Sequence, residues 1–342
     1  MRFAPIAIVT VLLCVVAAAA PPGQFRYLDS VKQQQLIEVQ NLVFAERFDT
    51  ADSLATHMIE ARPDDPAGWF SAASVLLSRM IAAEQDTATQ RFGRLLDSAM
   101  KCADAVLDTC HNNTAAWMHL WRGHALTHRS LWESHFGSML RAVRVAFDAA
   151  DEYQAGLERD STVEDLYFGI GMFHYWKSAK AGLLRSIGVI TDDTELGLAE
   201  LRRAALHATI SRAAARNGLV WIYLDRQQHD SVITLCEQLL EQFPGSKVFL
   251  WPMARAASEK RDYDRALSIY EHMRTEYIRD PGNYFNLVTC DFQLARCYDK
   301  TDRRDELSRV AGRAKEYFDK LPSDTQRRLR DEIAYLGRAA RL

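Results

Sequence analysis

Residues 219–239 read LVWIYLDRQQHDSVITLCEQL and residues 253–273 read MARAASEKRDYDRALSIYEHM, the same pattern twice at a spacing of 34 (253 − 219, 273 − 239). Leu219, Val220, Tyr223, Val232, Cys236 and Leu239 return as Met253, Ala254, Ala257, Ala266, Tyr270 and Met273. With 3.6 residues per turn, the first three of each set fall on one face of a first helix and the last three on one face of a second. Small or medium residues bracket a larger one in the second helix, so two helices can approach closely at both ends and interdigitate between. Phe243-Pro244 ends the first copy, because a proline ring clashes with the preceding turn and brings no N–H. A fixed period of this length is the trace of stacked two-helix units, none of which buries its apolar face alone.

Together with the turn Arg261-Asp262-Tyr263-Asp264-Arg265-Ala266, this pair resembles the tetratricopeptide repeat family. The resemblance implies an all-α fold, a right-handed α-solenoid of about seven helix pairs with a C-terminal capping helix. Weaker copies place the units near 32–65, 66–113, 114–163, 164–212, 213–246, 247–287 and 288–321, with the cap over 322–342. The first helix of the first unit is polar, as the outer face of a terminal repeat should be. Interruptions at 84–90 and 129–138 hold little Gly or Pro, so they are expected to lengthen the flanking helices. The largest insertion, 177–194, carries Lys180, Leu183, Leu184, Arg185 and Ile187 and reads either as a packed loop or as a peripheral membrane contact.

The rest of the chain fits a folded all-helical protein. Of 342 residues, 48% are hydrophobic and 25% charged, with only 16 Gly and 9 Pro. A formal net charge of −3 provides no global attraction to nucleic acid, so none is expected as a partner. Arg2, the apolar run Phe3 to Val16 and the alanines 17–20 describe an export signal over 1–20, cut after Ala18 or Ala19. A flexible lead follows over 21–28, and the expected location is the periplasm or cell envelope. Acylation at Cys14 is the alternative, although the bulky Leu13 before it departs from the lipoprotein pattern. Cys102, Cys110, Cys236, Cys290 and Cys297 leave an odd thiol, and Cys236 reads as a packing residue.

No motif demands an enzyme. His124 and His128 share a helix face and could hold a metal, with His119 and His135 nearby, but His124-Ala125-Leu126-Thr127-His128 lacks the glutamate that zinc hydrolases use as base. Packing is the preferred reading of that pair, and a metal-dependent hydrolase the least favoured function. Gly169 and Gly171 follow no strand and reach no third glycine, which argues against a phosphate loop. Gly171 reads instead as the place where a partner helix comes close. Acidic residues read mostly as solvated helix faces, and no cofactor is expected.

The family resemblance carries the binding hypothesis. First helices line the concave side of such a superhelix, and the matching positions here are Phe70, Met118, Phe168, Trp251 and Phe292, then Arg122, Met172, Trp221, Arg255 and Arg296, with Tyr175 and Trp176 extending the row. Aromatic and arginine side chains carry much of the energy at protein interfaces. The expected function is therefore a non-enzymatic scaffold that binds a protein or peptide partner, its oligomeric state open.

Overall fold

The computed structural model describes residues 27–180 and 191–340. The export signal, Cys14 and most of the lead, with Leu183, Leu184, Arg185 and Ile187 of the insertion, lie outside the described residues. Every regular element described is a helix, and consecutive helices pack as antiparallel pairs. They are α1 (Ser30–Phe44) and α2 (Phe48–Ala61), α3 (Pro66–Ala83) and α4 (Thr89–Leu107), α5 (Asn112–Phe136) and α6 (Met139–Arg159), and α7 (Leu166–Lys180) and α8 (Thr194–His207). The later pairs are α9 (Arg212–Asp225) and α10 (His229–Gln242), α11 (Lys247–Glu259) and α12 (Tyr263–Ile278), and α13 (Tyr284–Lys300) and α14 (Arg304–Phe318). Two short helices, α15 (Ser323–Arg328) and α16 (Arg330–Ala339), close the open end, where Leu336 is buried against the last pair.

Helix starts follow side-chain chemistry. The Asp29 carboxylate accepts from the Lys32 N–H at 2.8 Å, and Asp65 caps α3 in the same way through Ala67 N–H at 3.0 Å, with Pro66 at the first position. The repeat is equally plain in the core. Val220, Val232, Cys236 and Leu239 are fully buried, and so are their counterparts Ala254, Ala266, Tyr270 and Met273 to within 1%. The Tyr223 and Ala257 pair differs in depth, since the larger tyrosine is only partly buried while Ala257 is sealed.

The turn inside each of these two pairs is also copied. Gln227 and Arg261 both adopt left-handed backbone, φ 58° and 67°, and the N–H of the following residue bonds back to Tyr223 O at 2.8 Å or Ala257 O at 2.9 Å. Glu46, Glu84 and Asp302 do the same in the first, second and last pairs. This is the Schellman termination, which satisfies carbonyls at the helix end and normally prefers glycine. Here none of the five is glycine, so the strain of a Cβ in that conformation is retained. Arg261→Gly is therefore expected to stabilise the fold by about 0.5–1 kcal/mol, the relieved strain exceeding the added entropy of the unfolded chain. A urea midpoint that fails to rise would contradict it.

Glycine does decide one contact. A Cβ on Gly197 of α8 would lie 2.5 Å from Tyr175 N and 2.6 Å from Gly171 O on α7, while one on Gly171 would lie 2.9 Å from Leu201 N. The two glycines let these backbones touch, as expected of Gly171. The interrupted units also behave as expected around 129–138: α5 and α6 run to 25 and 21 residues with only Gly137 and Ser138 between them. Between α3 and α4 a short link, 84–88, remains.

The stack curls until its ends meet. Phe44, at the end of α1, packs with Phe243 and Phe249 at centroid distances of 5.3 Å, and Glu46 accepts from Lys247 N–H at 2.7 Å and pairs with its ammonium at 2.5 Å. Asn286 Nδ2 donates to Ala82 O at 2.8 Å, and Glu84 pairs with Arg328 at 2.5 Å. The turn edge of the first two pairs thus rests on the opposite edge of the fifth to last. This corrects the expectation of a polar outer face on the first helix, which buries Leu36, Val39, Leu42 and Phe44.

Candidate binding surface

The row of aromatic and arginine side chains divides when its positions are traced. In the amino-terminal half most of it is packing. Phe70 lies 5.3 Å from His124 and 4.7 Å from His128, and Phe168 meets His124 edge-on at 6.0 Å, so the two phenyl rings are plates around a buried imidazole. Met118 is fully buried. Arg122 reaches the second helices on both sides, pairing with Asp104 of α4 and with Glu152 of α6 at 2.8 Å, and is tied to them instead of facing an inner surface. His119 shares Glu152 at 2.8 Å, because residues three apart lie on one helix face.

Later in the chain the row opens. Trp221 on α9 keeps 38% of its surface exposed, whereas tryptophans 117 and 121 are buried. Beside it on α7, Trp176 is half-buried, edge-on to Tyr175 at 5.2 Å, with the Lys180 ammonium 4.8 Å over its ring. Tyr175 itself is buried, and its hydroxyl donates to Asp225 Oδ2 at 2.9 Å, which removes it from any open surface. Lys180 donates to Asp225 Oδ1 at 2.8 Å. Burial works against ionisation of Asp225, but hydrogen bonds from Lys180 and Tyr175 outweigh it and hold the carboxyl below its usual value. Arg255 on α11 is exposed, paired with Glu259 one turn on at 2.8 Å and near enough to Asp225 to favour its ionised form.

At the carboxyl end Trp251 leans on α12, its Nε1 donating to the Tyr277 hydroxyl at 3.0 Å, and Phe292 is covered by Tyr335 of the cap at 5.5 Å. Arg296 is exposed, 5.7 Å from the Phe292 ring. Trp176, Trp221 and Arg255, with Lys180 and Asp225 between them, are thus a patch on three successive first helices. Asp225 was not among the expected residues, and Lys180 was read as part of the 177–194 insertion. Their spacing across two helices leaves no local signal.

The histidines do not converge. His124 bonds the Tyr153 hydroxyl at 2.8 Å, His128 bonds His124 O and Ser74 Oγ, each at 3.1 Å, and His135 goes to Glu84 at 3.1 Å. No group of three or more metal-ligating side chains is brought together among the described residues. A cleft of about 1080 Å³ runs along the links between pairs, lined by Leu28, Trp117, Asp160, Glu164 and Thr209 among others, and holds none of the expected row. Among the described residues five thiols are free: Cys236, Cys290 and Cys297 are buried, and burial pushes the Cys236 thiol up to about 12. No described helix is long and apolar enough to cross a membrane.

Two buried acids are exceptions to the reading of carboxylates as mostly solvated helix faces. Asp165 is fully buried and accepts from the N–H groups of Thr209, Ile210 and Ser211 at 2.7–2.9 Å. Asp291, equally buried, joins Arg274 at 2.9 Å and Arg313 at 2.7 Å; burial pushes its carboxyl up although both arginines pull the other way. Each acid ties together elements of different pairs.

No family model matches the chain, and no curated protein matches it. Among solved structures it is similar to a thermophilic TPR protein of Thermus thermophilus, at 16% identity over 66% of this chain and 98% of that one, with a TM-score of 0.41. It is similar also to the C-terminal part of a TPR repeat-containing protein of Cytophaga hutchinsonii (16% identity, 85% and 97% coverage, TM-score 0.44) and to the P58(IPK) TPR domain (14%, 91% and 99%, TM-score 0.29).

Proposed function

We propose that this all-α solenoid, whose helix pairs are of the tetratricopeptide type, is an exported, non-enzymatic scaffold that captures a protein or peptide on the open part of its first-helix row. The observation that carries the reading is Trp221, a large aromatic left 38% exposed on the first helix that lies between those carrying Trp176 and Arg255. A rigid indole gives much contact at little entropic cost, and tryptophan and arginine anchors account for much of the energy of an interface. The apolar run from Phe3 to Val16 is the support for export. Divergent histidine partners leave the hydrolase reading without a supporting arrangement.

Trp221→Ala and Arg255→Ala are each expected to weaken capture of the envelope partner about tenfold, with far-UV circular dichroism unchanged. Capture from native envelope by wild-type and variant protein, quantified side by side, checks this. Equal capture by the two would remove the patch from consideration, and loss of helicity would mean that Trp221 is a packing residue.

A further inference from the structure

We infer that the outer face at the turn end of the α5–α6 pair is a membrane-surface contact that takes an anionic bilayer interface. These helices have 25 and 21 residues against 14 each in α9 and α10, roughly 16 and 10 Å longer at 1.5 Å per residue; the long α3 and α4 cover one side of the end, where Trp132 bonds Asp86 and His135 bonds Glu84, and leave the α6 side open. The extension is apolar where it should be polar. Met139, Leu140, Val143 and Phe147 keep 64, 81, 49 and 45% of their surface exposed and form one stripe along α6, with Leu131 of α5 at 43% beside them. The other exposed large apolar side chains described, such as Val31, Leu206 and Ile278, are scattered along the chain.

Charge and area choose the occupant. Residues 139–147 read MLRAVRVAF, two arginines and no acid, and the nearest carboxylates are Glu133 and Asp148. Glu133 accepts from Arg141 Nε at 2.9 Å, yet the Arg141 side chain stays 65% exposed, and Arg144 is exposed as well. Across the α6–α7 contact, Phe173 meets Phe147 at 5.0 Å, and the Lys177 ammonium near Phe173 is paired with Asp193 at 2.5 Å. The five apolar side chains expose roughly 500 Å², the size of the largest patch on a typical monomer, which is often functional. A second copy would need roughly 800 Å² on each partner and, about a two-fold axis, would bring arginines towards arginines. Shallow insertion of a few apolar side chains, with arginines at the headgroups, needs neither.

The test uses the full chain with a photoreactive benzoylphenylalanine replacing Leu140 or, as control, the exposed Gln154 of the same helix. Phosphatidylcholine vesicles with and without phosphatidylglycerol are the probe. A lipid adduct is expected from position 140 and not from 154, and it should fall about fivefold without the anionic lipid. Leu140→Asp with Val143→Asp should lower vesicle partitioning about tenfold or more. A cross-linked dimer, an adduct within the same chain, equal lipid adducts at both positions or none at all would each overturn the assignment.

Discussion

Lowering the pH from 7.5 to 5 is expected to cost the fold about 3 to 4 kcal/mol through His124 and His128 alone. Burial holds the His124 imidazole down to about 3, with His128 adding to the effect, and burial holds His128 down to about 4, from an ordinary value of 6.5. With values this low both rings are neutral in the fold; His128 then donates Nδ1–H to His124 O and accepts at Nε2 from Ser74, while His124 is bonded to the Tyr153 hydroxyl. The unfolded chain takes up protons near 6.5 and the folded one refuses them until about 4 or below. Stability is thus fully present above 6.5 and lost as pH falls through the interval, by about 2 kcal/mol per ring at pH 5, less whatever the two share.

That interval is diagnostic. The carboxylates held low in the fold, such as Asp160, Asp193 and Asp225, lose their contribution only below the ordinary carboxylate value. Urea unfolding at the two pH values should therefore give a wild-type difference that roughly halves in His128→Gln. A wild-type protein equally stable at both values would show that the pair is reached by water and titrates normally. The same burial bears on function: the His124 ring, enclosed by Phe70, Trp121, Tyr153 and Phe168, is core, in keeping with the packing reading of the pair, while the partly buried His128 ring lies edge-on to Phe70.

The architecture was legible because it is written in local periodicity. A helix pair has to place Val220 and Val232 against each other wherever it occurs, so a period of 34 residues announces the stack, and the buried counterparts Ala254 and Ala266 follow. Non-local contacts leave no such trace. Nothing near Phe44 or Glu46 in sequence reveals that Phe249 and Lys247 wait some 200 residues later, and the polar look of α1 pointed the other way. Exposure of the expected row was legible in proportion to how far position in the repeat dictates direction. It did so for Trp221 and Arg255, in regular units. For Arg122, in an interrupted unit, ion pairing with Asp104 and Glu152 decided the direction of the side chain, and for Tyr175 a single carboxylate on the next first helix did.

Asp165→Ala is expected to destabilise the protein by about 4 kcal/mol, the largest effect of any single substitution considered. Its carboxylate is the acceptor for three consecutive backbone N–H groups in the link between α8 and α9, at distances of 2.8, 2.9 and 2.7 Å. Removing it orphans those donors together, and a hydrogen bond to a charged group is worth about 1.5–3 kcal/mol. The sum is not additive, because the adjoining cleft of about 1080 Å³ lets water reach part of the link. Asp165→Asn keeps one acceptor oxygen but turns an amide donor towards N–H groups, so it should fall between. The consequence extends to binding, since the link fixes α9 relative to the start of α7 and thereby Trp221 relative to Trp176. Asp165→Asn at a temperature where it remains folded should weaken partner capture without touching the patch. Unfolding curves for either variant within about 1 kcal/mol of wild type would mean that the link is held by its apolar neighbours Ile210 and Ala208, and that the carboxylate merely fills a polar niche.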